Sequence, residues 1–160
     1  MPIHSSAPAI RIELDPAADG RGGNGSRISG QVVVRVAKAV AVHRICIDFV
    51  GEETVSVRAW APLSSTTVSR EVVRRRLTVH RGGMLSEGRH SFGFAVVVPA
   101  WVPSSLARDM CRIRYVVRAV IERASLASLL PSFSGSGSEA RASGSAWTRE
   151  EEVECRRIRT

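Results

Sequence analysis

The segment 88–122 constrains the fold of this chain more than any other part of it. Apolar and polar residues alternate in two runs, and the stretch 99–105 between the runs carries Pro99 and Pro103. A period of two is typical of a β-strand with one buried face, because successive side chains leave a pleated backbone on opposite sides. Proline lacks an N–H group and has a fixed φ, so it ends the ladder of hydrogen bonds between strands. The segment therefore predicts two strands joined by a corner.

Each of the two runs has one apolar face. The predicted inward residues are Phe92, Phe94, Val96 and Val98 in the first run and Cys111, Ile113, Tyr115, Val117, Ala119 and Ile121 in the second. Arg112, Arg114 and Arg118 lie on the opposite face of the second run. The second strand is thus predicted to have a core face and a basic outer face.

Further runs show the same alternation along the chain. They cover residues 9–14, 27–36, 42–50, 53–60 and 72–80, with Gly51 interpreted as a break and a final strand predicted over 147–159. Their predicted inward residues are Ile10, Ile12, Leu14, Ile28, Val32, Val34, Val36, Ile45, Ile47, Phe49, Val55, Val57, Val73, Leu77 and Val79. The Ser/Gly-rich stretch 124–146 is predicted to be a flexible insertion. Strands in series without helical periodicity indicate an all-β antiparallel sandwich or barrel.

The composition fits one globular domain over residues 1–160. The chain carries a net charge of +8, and Lys38 is its one lysine, so arginine supplies the positive charge. Such a balance attracts phosphates, acidic peptides and anionic lipid headgroups alike. We expect no membrane span and no secretory signal, because the sequence has neither the apolar run nor the basic leader that these need. Three widely spaced cysteines, Cys46, Cys111 and Cys155, are interpreted as free thiols in a reducing cytosol.

Two groups of arginines are candidates for binding anions. Arg74 and Arg76 share one face of a predicted strand, whereas Arg75 falls among the inward residues and is predicted to be at a sheet edge or paired. Arg112, Arg114 and Arg118 form a ladder that resembles, in opposite charge, the ladder of Glu150, Glu152 and Glu154. If the two ladders are neighbours, each cross-strand pair contributes about 0.2–1 kcal/mol. The alternative left open is a basic surface that receives an acidic or phosphorylated segment.

No motif for catalysis or for a cofactor is found in the sequence. A GxSxG motif and a phosphate-binding loop with lysine are absent, and His4, His43, His80 and His90 show no sequence pairing with a nucleophile. The cysteine and histidine spacings do not match those of a zinc site. Aromatic residues do not interleave with the basic ones, which argues against a base-stacking nucleic-acid platform. We therefore expect a protein that is not an enzyme and holds no cofactor or metal.

Five segments resemble, in order, the arrestin N-terminal domain in its arrestin-domain-containing (α-arrestin-like) form. They are residues 27–32 (RISGQV), 44–53 (RICIDFVGEE), 85–94 (LSEGRHSFGF), 98–105 (VPAWVPSS) and 113–119 (IRYVVRA). The resemblance implies an immunoglobulin-like antiparallel β-sandwich that acts as a non-catalytic adaptor. It implies binding of the cytoplasmic tails of membrane proteins, some of them phosphorylated, and links to endocytic and ubiquitin-ligase machinery.

The resemblance also implies a site and a location. Arg118 matches a basic position of the family, and Arg11 lies near its N-terminal basic cluster, so the candidate peptide- or phosphate-binding residues are Arg118, Arg114, Arg112, Arg11, Arg74 and Arg76. The expected location is the cytoplasm, including the periphery of the plasma membrane or endosomes. The second arrestin sandwich and the PPxY motifs that recruit ubiquitin ligases are absent from the sequence. Two alternatives stay open: half of an obligate dimer or a degenerate structural sandwich, and a general binder of anions such as acidic lipid or nucleic acid.

Overall fold

A computed structural model describes residues 7–15, 27–58, 65–124 and 146–153. These ranges contain nine strands and no helix, and so no helix of the length and apolarity that a membrane crossing needs. The strands are β1 (Ala9–Leu14), β2 (Arg27–Val36), β3 (Val40–Arg58), β4 (Ser65–His80), β5 (Gly83–Leu85), β6 (Gly88–Val97), β7 (Leu106–Arg108), β8 (Cys111–Arg123) and β9 (Ala146–Val153). The prediction of an all-β chain is confirmed.

The strands form two antiparallel sheets that are stacked as a sandwich. The three-stranded sheet has the order β1-β2-β6. In the six-stranded sheet β3 and β8 pair with each other at the centre. The other edge of β3 pairs with β4 and β5, and the other edge of β8 pairs with β7 and β9. Because the two sheets do not close into a barrel among the described residues, the sandwich leaves strand edges at its sides.

The core lies between the sheets and consists of the alternating residues of both inner faces. Phe49 of β3 and Tyr115 of β8 stack with their ring centroids 5.6 Å apart, and both are fully buried. The hydroxyl of Tyr115 donates a hydrogen bond to the carbonyl oxygen of Pro103 (2.5 Å). This bond ties the proline corner to β8, so the corner predicted from the sequence is also a packing element of the core.

The predicted break at Gly51 is wrong, because β3 runs without interruption from Val40 to Arg58. The register with β4 shifts between Gly51 and Glu52, which marks an irregularity in the ladder. A Cβ at Gly51 would lie 2.5 Å from Cε1 of Tyr115 and 2.8 Å from Cγ1 of Val73. Glycine is therefore present in order to make room for the Tyr115 ring, and it does not end the strand.

Two predicted core residues are exposed: Leu77 to 37% and Val57 to 52%. Val57 lies near the far end of the β3–β4 hairpin, whose strands have 19 and 16 residues, whereas the three-stranded sheet has no strand longer than 10. That end of the hairpin therefore has no sheet opposite it. Leu77 belongs to β4, which pairs with β3 alone among the described strands, so it lies at the side of the sandwich.

The remaining differences concern the start of β4, which begins at Ser65 and not at the predicted residue 72, and short or partly described segments. The three-residue strands β5 and β7 were not predicted, because three residues are too few for a period of two to be recognised. The predicted final strand over 147–159 is found as β9, and its last six residues lie outside the described residues. Residues 125–145 of the predicted flexible insertion also lie outside them.

Candidate anion-binding surfaces

The outer face of the six-stranded sheet is centred on Asp48, which is buried to 1% exposure. In the register of the sheet Asp48 lies between Arg76 on β4 and Arg118 on β8. Arg76 donates from Nε to Oδ1 and from Nη2 to Oδ2 of Asp48, each over 2.7 Å. This two-bond geometry is the strong form of an arginine–carboxylate pair. The hydrogen bonds to Asp48 raise the pKa of Arg76 above its ordinary value.

The Asp48–Arg76 pair is part of a longer series of charges. Arg74 lies 3.6 Å from Asp48 and 2.6 Å from Glu71, while Arg76 lies 3.9 Å from Glu122. Arg44 completes the series with a 2.6 Å hydrogen bond from Nε to Glu122. We call this series the ion-pair chain; it consists of Glu71, Arg74, Asp48, Arg76, Glu122 and Arg44. Positive and negative groups alternate along it, so its formal charge is balanced.

The ion-pair chain affects the titration of the groups at its two ends. The hydrogen bond that Glu71 accepts from Arg74 lowers the pKa of Glu71 below its ordinary value of 4.5. At the other end, the hydrogen bond to Glu122 raises the pKa of Arg44. Both shifts favour the charged forms, so the pairing persists at neutral pH.

The arginine ladder of β8 lies on the same outer face. Arg114 pairs with Glu52 of β3 over 2.8 Å, and Arg112 lies opposite Thr54. Arg118 lies in register between Asp48 and Glu150 of β9. The acidic strand is thus the neighbour of the basic one, as the paired interpretation required. Arg112 and Arg118 have contacts of their own, so none of the arginines on this face is a free cation.

The structure separates Arg11 from the other candidate residues. Arg74, Arg76, Arg112, Arg114 and Arg118 belong to the six-stranded sheet, whereas Arg11 belongs to β1 of the other sheet. The Arg11 side chain is 78% exposed and its Nε lies 3.5 Å from Glu13. Arg75 is exposed on the edge strand β4, in agreement with its predicted edge position.

Two further arginines share the outer face of the three-stranded sheet with Arg11. Arg35 of β2 lies directly opposite Arg89 of β6, and Ala9 of β1 lies on the other side of Arg35. Shallow cavities of about 340 and 470 Å³ adjoin this row, and Arg35 and Arg89 line both of them. The sequence places Arg35 outward, between the inward residues Val34 and Val36, but only the strand register brings it beside Arg89.

A groove of about 800 Å³ lies at the side of the sandwich where β4 meets β6. Leu77, Thr78 and Val79 line it from the six-stranded sheet, and Gly93, Phe94 and Ala95 line it from the three-stranded sheet. Each of the two strands pairs on one side only among the described strands. Asp15, Arg27 and Ser29 also line the groove, on the side of the three-stranded sheet, whereas the described lining residues of β4 include no ionisable group.

The described histidines and cysteines have structural surroundings. His80 packs against Phe92 with ring centroids 5.1 Å apart, and Nε2 of His90 donates to the carbonyl oxygen of Ser86 over 2.8 Å. Cys46 is a buried free thiol 3.6 Å from the hydroxyl of Thr78, and Cys111 is a half-buried free thiol. Within the described ranges, no three His, Cys, Asp or Glu side chains are grouped so that they could hold a metal ion.

Comparison with known proteins gives one family and one fold. Residues 10–134 match the family described as "Arrestin (or S-antigen), N-terminal domain". The crystal structure of Spo0M, a sporulation control protein from Bacillus subtilis, is similar in fold with a TM-score of 0.61 at 12% sequence identity. The similarity covers 93% of this chain and 49% of the Spo0M chain, so the chain spans about half the length of that protein. No curated protein matches the sequence.

Proposed function

Because the chain belongs to the arrestin N-terminal domain family, we propose that it is a non-catalytic adaptor for the cytoplasmic tails of membrane proteins. Arrestin-like domains are typically adaptors or scaffolds, and they are generally not catalysts. The observation that carries the proposal is the family match over residues 10–134, which includes β2 to β8 and all of β1 except its first residue. The net charge of +8 favours tails that are acidic or phosphorylated.

We assign the tail site to β1 and Arg11. Among the described strands β1 forms ladder hydrogen bonds with β2 alone, and β9 of the other sheet lies near it without pairing. The other edge of β1 therefore keeps backbone groups to which an extended peptide can add as a further strand. Arg11 projects from this strand and is exposed, and its contact with Glu13 is a 3.5 Å approach of Nε alone. The two terminal nitrogens of its guanidinium are therefore available to a carboxylate or phosphate on the peptide. Backbone bonds would supply affinity and Arg11 would select acidic tails.

The other candidate arginines are less available to a tail. Arg74, Arg76 and Arg114 already bind carboxylates of the protein, so a tail must displace those carboxylates before it can bind. Such displacement exchanges one ion pair for another and gains little free energy. We therefore place them, with Arg112 and Arg118, second to Arg11. Recruitment of endocytic and ubiquitin-ligase machinery is proposed from family membership, through surfaces other than the β1 edge.

The test is binding of the purified chain to a matched pair of tail peptides, one phosphorylated and one unmodified, at low and high salt. Arg11→Gln is expected to lower the affinity for the phosphorylated peptide by about tenfold, which corresponds to the loss of one charge-assisted hydrogen bond. Arg70→Gln is the matched control, because Arg70 is 74% exposed and also pairs with a glutamate, on the other sheet. Amide exchange should slow in β1 when the peptide binds. Peptide binding without protection of β1, or with equal losses in the two variants, would refute the site.

A further inference from the structure

We propose that the outer face of the three-stranded sheet around Arg35 and Arg89 is a docking surface for an anionic lipid bilayer. The phosphates and carboxylates of the headgroups would bind to the two guanidinium groups. This inference goes beyond tail binding, because it concerns a different ligand and residues that are not at the β1 edge.

The register of the sheet brings two like charges together without compensation. Arg35 and Arg89 are direct cross-strand partners, whose Cβ atoms in an antiparallel pair are about 4.5–5.5 Å apart. Like charges directly opposite each other destabilise a sheet. Neither guanidinium forms an ion pair with any carboxylate of the described residues. An arrangement that costs stability in the free protein, and that an external anion would relieve, is the signature of a binding surface.

Acidic residues near the pair do not neutralise it. Glu13 accepts a hydrogen bond from Gln31 over 2.8 Å and lies 3.5 Å from Arg11, so its charge is already engaged. Glu87 lines the 470 Å³ cavity together with Arg35 and Arg89 but is not within ion-pair distance of either. The positive potential of the row is therefore directed to solvent.

The shape of the surface favours a bilayer over a peptide. Arg35, Arg89 and Ala9 are all exposed, and the alanine side chain next to Arg35 is too small to form a wall. The adjoining cavities are shallow depressions on an open sheet face. A planar array of headgroups can reach both guanidinium groups of such a face at the same time. A peptide added to the free edge of β1 would lie three strand spacings, or about 14 Å, from β6 and would not reach Arg89.

The experiment is co-sedimentation of the full chain with phosphatidylcholine vesicles that contain or lack phosphatidylserine. The chain should bind the anionic vesicles, and Arg35→Gln/Arg89→Gln should lower the partition coefficient by about 30-fold, or ~2 kcal/mol at ~1 kcal/mol for each arginine near the surface. Arg70→Gln/Arg75→Gln removes the same net charge from exposed positions of the other sheet and should lower it less than threefold. Circular dichroism checks that all variants are folded.

Equal losses in the two double variants would overturn the inference, since binding would then follow net charge alone. Equal binding to neutral and anionic vesicles would overturn it too. If Arg35→Gln/Arg89→Gln binds vesicles normally but no longer binds the phosphorylated tail peptide, Arg35 and Arg89 belong to the tail site. That result also contradicts lipid docking. Because the vesicles contain no protein tail, failure here leaves the proposed adaptor function untouched, and failure of the peptide titration leaves this inference untouched.

Discussion

The outer faces of the two sheets treat the same residue type in opposite ways. On the six-stranded sheet Arg76 lies against a buried carboxylate and belongs to the ion-pair chain. On the three-stranded sheet Arg35 lies against Arg89, and neither has an ion-pair partner among the described residues. Both faces carry exposed arginines. The pairing of each arginine, set by strand register, decides whether its charge serves the fold or remains available to a ligand.

The largest expected loss of stability comes from removing Arg76, which pairs with the buried Asp48 at the centre of the outer face of the six-stranded sheet. Arg76→Ala leaves the carboxylate of Asp48 buried, with Arg74 at 3.6 Å and Arg118 opposite it in the register of the sheet. Removing one partner of a buried pair typically costs 3–5 kcal/mol, and because these two arginines remain we expect about 3 kcal/mol. The measurement is the free energy of unfolding in urea.

The control for that variant is Arg70→Ala, which breaks the exposed pair with Glu53. Exposed pairs contribute about 0–1 kcal/mol, so this change should cost far less. Comparable losses in Arg70→Ala and Arg76→Ala would show that the burial of Asp48 does not matter, and the contrast between the faces would be lost.

A second pair of variants compares the two sheets through one glycine of each. The Cβ of Gly51→Ala would press on the buried Tyr115 ring, which is held by stacking and a hydrogen bond, and we expect a loss of about 2–3 kcal/mol. The Cβ of Gly30→Ala would collide with the carbonyl oxygen of Glu13 in β1. Because β1 is an edge strand that can shift outward, we expect a smaller loss of about 1–2 kcal/mol.

Amide exchange separates the two glycine effects. Gly30→Ala should speed exchange in β1 and leave β8 protected, whereas Gly51→Ala should speed exchange in β3 and β8. Uniform acceleration across both sheets in Gly30→Ala would show that β1 is not a separable edge of the molecule.

The third test concerns the outer face of the three-stranded sheet, where Arg89 lies opposite Arg35. Arg89→Gln removes a like charge opposite Arg35, so the protein should lose no stability and should gain about 0.2–0.5 kcal/mol at low salt. The gain should disappear at high salt, because exposed charges are screened. A loss of stability that is independent of salt would mean that Arg89 is paired and that the face has no excess charge.

The smallest effect concerns the end of the ion-pair chain. The pKa of Glu71 lies below its ordinary value of 4.5, so its contribution to stability is present above pH 4.5 and is lost as the pH falls through its lowered value. We expect Glu71→Gln to be slightly less stable than the wild type at pH 7 and equally stable at the acid end of that range. The difference in stability is measured by thermal unfolding from about pH 3 to 7, the range in which carboxylates usually titrate. A difference in stability that does not change with pH would show that Glu71 is not part of the ion-pair chain.

The fold could be predicted from the sequence because alternation reports burial directly. The inward faces of β6 and β8 were correct at each position from Phe94 to Val98 and from Ile113 to Ile121. Alternation does not report what lies opposite a strand, and for this reason Val57 was misplaced. Gly51 was interpreted as a break in the strand, whereas its lack of a side chain makes room for the ring of Tyr115, its register partner on β8. The local alternation of residues does not contain this relation.

The candidate site could be predicted less well than the fold. The arginines of β4 and β8 were identified as charged outer faces, but the sequence left open whether they were paired, because pairing depends on register between distant strands. Arg35 and Arg89 were not identified at all. They are single arginines in separate strands, and they form a pair only because β2 and β6 are neighbours in register.

The long range of the sheet pairings has a consequence for biosynthesis. Arg44 and Glu122 are joined across β3 and β8, although 78 residues separate them along the chain. At a synthesis rate of about 5–20 residues per second, β3 leaves the ribosome about 4–16 s before its partner. During that interval β4 and the three-stranded sheet are made, but the edge of β3 that pairs with β8 has no partner. The nascent chain thus presents an open sheet edge, and we expect it to depend on chaperones until β8 is made.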